Sequence, residues 1–362
     1  MKVAYYSPLP PERSGVADYS ALLVPALARR VGLRLVRRGR RRPPRGTDVS
    51  LYHVGNDHEV HGWIVDALRA RPGVVVLHDV VLHHLVAGLT LGRGDVPAYL
   101  QAMERDRGVV GRLLALGAAD GCLPWIHELR PDEFPLTNVV LDAAERGVVV
   151  HSRYAERRVR ETGYGGRVWR IPHPAWPAPP VPAAELGPGP VIGCLGVVNA
   201  SKRIPQLLEA FALVREAIPA ARLLIAGPVR GRFDLDRRLA EAALPAGSVI
   251  REPYVDEQRF WALLAASDVC VSLRSPTMGE TSGSAVRALS LGKPLVVSEL
   301  GWFAELPDDV AVKVPDDERE VPRLAAALRL LLERDDLRLA LGERARAYAA
   351  SEHDLERVAE QY

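Results

Sequence analysis

Apolar residues along this chain fall into short runs that alternate with longer stretches of helical periodicity. In the first half, residues 3–6, 49–54, 74–77 and 148–150 predict strands. Runs that are apolar throughout and bounded by turn signals suit a parallel sheet covered on both faces. Residues 17–30 predict a helix after the turn 8–15, and Ser152 is placed to cap a polar helix over 153–162. The second half alternates more plainly. Strands are predicted over 191–195, 222–226, 248–251, 269–273 and 294–298, and helices over 205–217, 234–243, 257–266 and 284–291, with a helical region from 321 onward. Strand–helix alternation of this kind implies right-handed crossovers and a doubly wound sheet, so the fold class is α/β, twice over. Eight prolines fall between residues 172 and 190, where helix and central strand are both excluded and an extended connector is expected. The organisation expected is a Rossmann-like domain over 1–172, a Pro-rich linker over 173–190, a second Rossmann-like domain over 191–345, and a helix over 346–362 returning toward the first domain.

Length supports this division, since 362 residues exceed one ordinary core. The balance of 48% hydrophobic and 25% charged residues is that of a soluble globular protein. No apolar run is long enough to span a bilayer, and the opening residues read directly as a strand without signal-peptide organisation, so a cytoplasmic location is expected. The cysteines, Cys122, Cys194 and Cys270, show no metal-ligand spacing and read as small buried hydrophobes. Net charge is only +2, but of 47 basic residues only four are lysines (Lys2, Lys202, Lys293 and Lys313). Arginine is thus the default cation here, and each lysine draws notice. The run Arg37–Arg42 reads first as a solvated loop, with peripheral contact to anionic lipid as the functional alternative.

Ligands in open parallel sheets bind at the carboxyl ends of strands, where loops lead into helix N-termini. The turn Pro276-Thr277-Met278-Gly279-Glu280-Thr281-Ser282-Gly283-Ser284 follows one strand and opens a helix. Its small residues let backbone N–H groups approach an anion, and the helix terminus adds positive charge suited to a diphosphate. Glu280 beside it suits sugar hydroxyls. A second turn, Gly196 to Arg203, holds Asn199 and places Lys202 and Arg203 to neutralise phosphate. In the first half, Ser14-Gly15 follows strand one, and His78-Asp79 ends another strand, with His83 and His84 one turn later. A histidine so placed can donate to a leaving phosphate or a sugar hydroxyl. Asn56, His83 and His84 are assigned to the acceptor. His53, His58 and His61 raise the thought of a metal, but no ligand geometry supports one and no metal is expected. Asp234-Leu235-Asp236 has the carboxylate spacing of a metal-dependent transferase, yet lies at a polar helix start and reads as capping and surface charge.

These residues resemble the retaining glycosyltransferases of family 4. The resemblance runs through Gly196…Lys202, Leu224-Ile225-Ala226-Gly227, Ala266-Ser267-Asp268-Val269, Glu280-Thr281-Ser282-Gly283, Leu291-Gly292-Lys293-Pro294-Leu295-Val296-Val297 and Gly301…Glu305. It is weaker through Ser14-Gly15-Val16-Ala17-Asp18-Tyr19 and Leu77-His78-Asp79. It implies a GT-B fold whose two domains face a cleft, an N-terminal acceptor domain and a C-terminal nucleotide-sugar domain. It also implies metal-independent hexosyl transfer with retention, without a cofactor, from a UDP- or GDP-linked donor. Carried over by position, Gly15, Lys202, Arg203, Ser282, Gly283 and Ser284 would meet the donor phosphates. His78, Asp79 and Glu280 would serve the reacting sugar, and Gly196, Asn199, Tyr254 and Arg287 the nucleotide. Two departures stand out. Arg287 falls one position before the expected second glutamate and reverses its charge, and Val197 replaces a frequent arginine. A non-catalytic nucleotide-sugar-binding relative and a GT-B epimerase are the alternatives.

Overall fold

The structure, a computed structural model, describes residues 1–231 and 233–362. The chain divides into two compact units: Met1–Pro174 with Met278–Thr281 and Leu355–Tyr362, and Ala175–Thr277 with Ser282–Asp354.

The first unit runs β1 (Lys2–Tyr6), α1 (Gly15–Ala28), β2 (Gly32–Leu35), β3 (Val49–Val54), α2 (His58–Ala70), β4 (Val74–Leu77), α3 (His83–Leu89), α4 (Val96–Ala119), α5 (Ile126–Leu129), α6 (Asn138–Leu141), β5 (Gly147–Val150), α7 (Arg153–Glu161) and β6 (Val168–Arg170). Its six strands are parallel in the order β2-β1-β3-β4-β5-β6. Helix α4 bends at Arg107 and Gly108, where Gly108 takes φ +61°, a conformation that glycine adopts at little cost.

The second unit runs β7 (Val191–Leu195), α8 (Ile204–Ala217), β8 (Arg222–Ala226), α9 (Leu235–Glu241), β9 (Val249–Glu252), α10 (Glu257–Ala266), β10 (Val269–Ser272), α11 (Gly283–Leu291), β11 (Leu295–Ser298), β12 (Val312–Val314), α12 (Glu320–Glu333) and α13 (Asp335–Glu352). Its strands are parallel in the order β12-β11-β10-β7-β8-β9. Helix α8 buries Leu207, Leu208, Phe211 and Val214 against this sheet's core, each such side chain contributing about 1.5–3 kcal/mol.

A last helix, α14 (Leu355–Gln361), belongs to the first unit. The helical region expected from residue 321 onward is thus three helices. Arg334 breaks it first with extended backbone at φ −119°, ψ 93°, held by bonds to both carboxylate oxygens of Asp336 at 2.9 and 2.7 Å. His353 breaks it again. Strands β2, β6 and β12 carry no long apolar run because each is a sheet edge, open to water on one side. Cys194 and Cys270 are buried as expected, but Cys122 is exposed, since it follows α4 in a surface turn.

Candidate functional site

In the second unit, strand order reverses at β7, with β8 on one side and β10 on the other. Ligands of open α/β sheets bind at such a reversal. The turns leaving β7 and β10 are the two singled out in the sequence, and Ser275 N–H donating to Ser201 O at 2.9 Å joins them. Gly196 takes φ +111°, and a Cβ built on it would lie 3.3 Å from Ser284 Oγ and 3.8 Å from Lys202 Nζ. Gly196, Lys202 and Ser284 therefore converge on one point. Lys202 ends a short 3-10 turn, Ala200–Lys202, and is only 3% exposed. A cation enclosed to that degree has been taken largely out of water, and an anion that reaches it interacts strongly. The N-terminus of α11 adds its own positive end. Ser282 caps that helix, its Oγ accepting from Ala285 N–H at 3.3 Å and lying 3.1 Å from Ser284 Oγ. Gly283 is the first helical residue, and Asn199 Oδ1 accepts from Ser201 Oγ at 2.9 Å.

The remaining expected residues of this unit are placed differently. Arg203, at φ +54°, bonds through Nε to both carboxylate oxygens of Glu320 at 3.2 and 3.0 Å. Glu320 is itself buried, and this hydrogen bond raises the arginine's pKa further, so Arg203's charge is already matched within the fold. Arg287 stacks 3.6 Å above the Trp176 ring with Phe260 at 5.4 Å, a cation–π arrangement. Its Nη1 would stand 3.6 Å from a Cβ on Gly283, which sets the guanidinium beside the start of α11. Trp176 and Phe260 were not identifiable in the sequence, because aromatic partners distant along the chain leave no local pattern. Tyr254, just after β9, is 54% exposed. Asp234 Oδ1 caps α9 by accepting from Arg237 N–H at 3.0 Å, and Asp236 pairs with Arg251.

In the first unit the reversal lies between β1 and β3. Ser14 caps α1, its Oγ accepting from Ala17 N–H at 3.0 Å, and the space over Gly15 Cα is open. His78 and Asp79 follow β4. Asp79 Oδ2 accepts from Asn56 N–H at 2.8 Å, the Asn56 amide donates to His84 Nδ1 at 3.1 Å, and Asn56 Oδ1 accepts from Leu85 N–H at 3.1 Å. Three residues expected from the sequence, Asn56, Asp79 and His84, thus share one network. His83 does not join them. It is fully enclosed and lies 2.8 Å from Tyr99 Oη through Nε2, because adjacent helical residues point about 100° apart and His84 takes the outward position. Burial pushes the His83 pKa down to about 3.

The segment Met278–Thr281 belongs to this unit. Met278 O accepts from Val80 N–H and Val81 N–H at 2.8 and 3.0 Å, so Glu280 is carried on backbone bonded immediately beyond Asp79. Glu280 Oε2 accepts from Met278 N–H at 2.8 Å. His78 lies in a ring cluster, with Tyr19 at 4.7 Å, His151 at 5.0 Å and His53 at 5.3 Å between centroids. Burial first, then neighbouring histidines, hold the His78 pKa well below its ordinary value. The histidines weighed as metal ligands part company: His53 stacks on His78, His61 Nδ1 donates to His53 O at 3.2 Å, and His58 packs against Gly88. Among the described residues, no group of three or more His, Cys, Asp or Glu is placed to hold a metal ion, and no helix is long and apolar enough to cross a membrane.

Two parallel six-stranded sheets, each with flanking helices and ligand-type turns at its carboxyl edge, define the GT-B architecture of glycosyltransferases. Residues 183–348 match the family described as Glycosyl transferases group 1. Among solved structures, sucrose-phosphate synthase from Thermosynechococcus elongatus is similar at 17% identity and TM-score 0.66, covering 100% of this chain and 97% of that one. HepE from Anabaena, solved with UDP and glucose, is similar at 15% identity and TM-score 0.64, covering 100% and 98%. WaaG, a glycosyltransferase involved in lipopolysaccharide biosynthesis, is similar at 13% identity and TM-score 0.60, with coverage of 100% and 98%. No curated protein matches the chain by sequence.

Proposed function

We propose that the chain transfers a hexosyl-type sugar from a UDP- or GDP-linked donor to an acceptor hydroxyl, with retention at the anomeric carbon and without a metal ion. The observation that carries this reading is the convergence of buried Lys202, Ser284 Oγ and the α11 N-terminus on the face of Gly196 where a side chain would stand. A fixed cation and helix-terminal amides stabilise the charge that develops on a diphosphate leaving group. The bond from the anomeric carbon to the phosphate oxygen breaks, the acceptor oxygen bonds to that carbon, and the acceptor's proton passes to the departing diphosphate. Glu280 and His78 serve the sugar hydroxyls, Tyr254 and Arg287 the nucleoside, and Asn56, Asp79 and His84 the acceptor. The likeness to HepE, solved with UDP and glucose, supports a uridine nucleotide first. Exposed Arg37, Arg40 and Arg42 suit peripheral contact with anionic lipid.

The test is thermal shift against UDP, GDP, ADP and dTDP, with and without magnesium. A nucleotide at 100 times its Kd stabilises the fold by about 2.7 kcal/mol. A selective, magnesium-independent shift that Lys202→Ala abolishes is expected; no shift with any diphosphate overturns the donor site. A shift without sugar transfer to any acceptor favours a non-catalytic binder, to which the missing second glutamate points.

A further inference from the structure

His53 has no place in the chemistry proposed so far, yet it is fully buried on β3 and touches His78, which serves the sugar. Its Nδ1 lies 3.0 Å from His78 Nε2, with the rings stacked at an interplanar angle of 29°. One of these nitrogens must carry the proton and the other accept it. The enclosed His53 Nε2 settles which, because it has no hydrogen-bond partner among the described residues. If the shared proton belonged to His78 Nε2, His53 would carry its own on Nε2, a buried N–H donor with nothing to meet. Stranded buried donors are rarer than bare acceptors. With the proton on His53 Nδ1, only a lone pair is left bare. Burial keeps both rings neutral, so His78 then holds its single proton on Nδ1.

We propose that His53 is a positioning residue that fixes His78 in the Nδ1–H tautomer, so that His78 offers one N–H donor of set direction to an oxygen of the bound sugar or its phosphate. The destination of that donor rests on the transferase reading; the tautomer does not. Most exposed histidines favour a proton on Nε2, whereas here Nε2 is the acceptor of a buried bond.

Long-range 1H–15N correlation spectra of histidine-labelled protein, with His78→Asn for assignment, test this directly. The expected His78 signature is a pyrrole-like Nδ1 and a pyridine-like Nε2. His53→Phe should abolish it and leave a signature dominated by Nε2–H, while His53→Gln, whose amide can still donate to Nε2, should restore it. A pyrrole-like Nε2 on His78 in the unaltered protein overturns the proposal. So does a His53→Phe spectrum in which His78 is unchanged. If His53→Phe does not fold, the unaltered protein and His53→Gln decide, a loss of the Nδ1–H signature in folded His53→Gln counting against the proposal. Failure of the donor reading would show separately, as absence of nucleotide stabilisation with the tautomer intact.

Discussion

Gly279 takes φ +82°, and a Cβ there would overlap the Val80 side chain. Both facts demand glycine at this position: the left-handed conformation penalises other residues, and the contact leaves no room for a methyl group. Gly279→Ala should therefore cost about 1–3 kcal/mol, measured as a lowered urea midpoint with unchanged slope. It should also disturb transfer more than stability, since the next residue is Glu280. An unaltered midpoint would mean that the segment Met278–Thr281 is not held as described. At this scale the sequence was informative where a motif was local. Gly196, Lys202 and Ser284 sit on adjoining turns, and their types alone suggested an anion site. The histidine cluster was not legible, because His53, His78, His151 and His173 come from separate strand ends and meet only once the sheet is built. Arg203 illustrates the same limit: its partner Glu320 lies 117 residues away.

Among elements, α14 and α1 pack together, with Tyr19 Oη 2.7 Å from Tyr362 Oη and Val358 buried beside Leu23 and Ala26. One hydroxyl donates to the other, Tyr19 being fully buried and Tyr362 partly so. Replacing either tyrosine by phenylalanine should cost about 1–3 kcal/mol, because it strands the remaining hydroxyl; removing both should cost less than the sum. A double-mutant cycle in urea measures the coupling, and strict additivity would show that the two hydroxyls do not interact. Central strands and capped helices were legible because they carry their own signals: apolar runs for β3, β4, β7 and β8, and Ser152 with Oγ accepting from Ala155 N–H at 3.0 Å for α7. The edge strands β2, β6 and β12 were not, since each is short and carries no long apolar run, whereas β9, also at an edge, was read over 248–251.

For the whole molecule, the buried histidines set a stability that depends on pH. His61 is lowered from 6.5 to about 4 by burial, and His53 and His78 are lowered well below the ordinary value for the same first reason. Above about pH 6.5 these rings are neutral in folded and unfolded chains alike, so they contribute no slope. Below it the unfolded chain takes up protons that the folded chain refuses, and stability falls with pH until the folded rings protonate. For His61 the loss runs from about pH 6.5 to about pH 4, at about 1.4 kcal/mol per pH unit, or roughly 3 kcal/mol. Urea unfolding across this window should show a steep acid decline, and a flat profile between about pH 7 and about pH 5 would contradict the enclosed, neutral cluster.

The first unit is assembled from three separated stretches of chain, with Met278–Thr281 and Leu355–Tyr362 returning to it after much or all of the second unit has been traversed. During synthesis on the ribosome its β-sheet can therefore form early, but the groove that α14 fills beside Tyr19 stays open until translation has passed residue 354. The nascent chain must keep that apolar surface from other partners for the time it takes to make the entire second unit. A fragment cut at the proline-rich connector would carry the same open surface permanently.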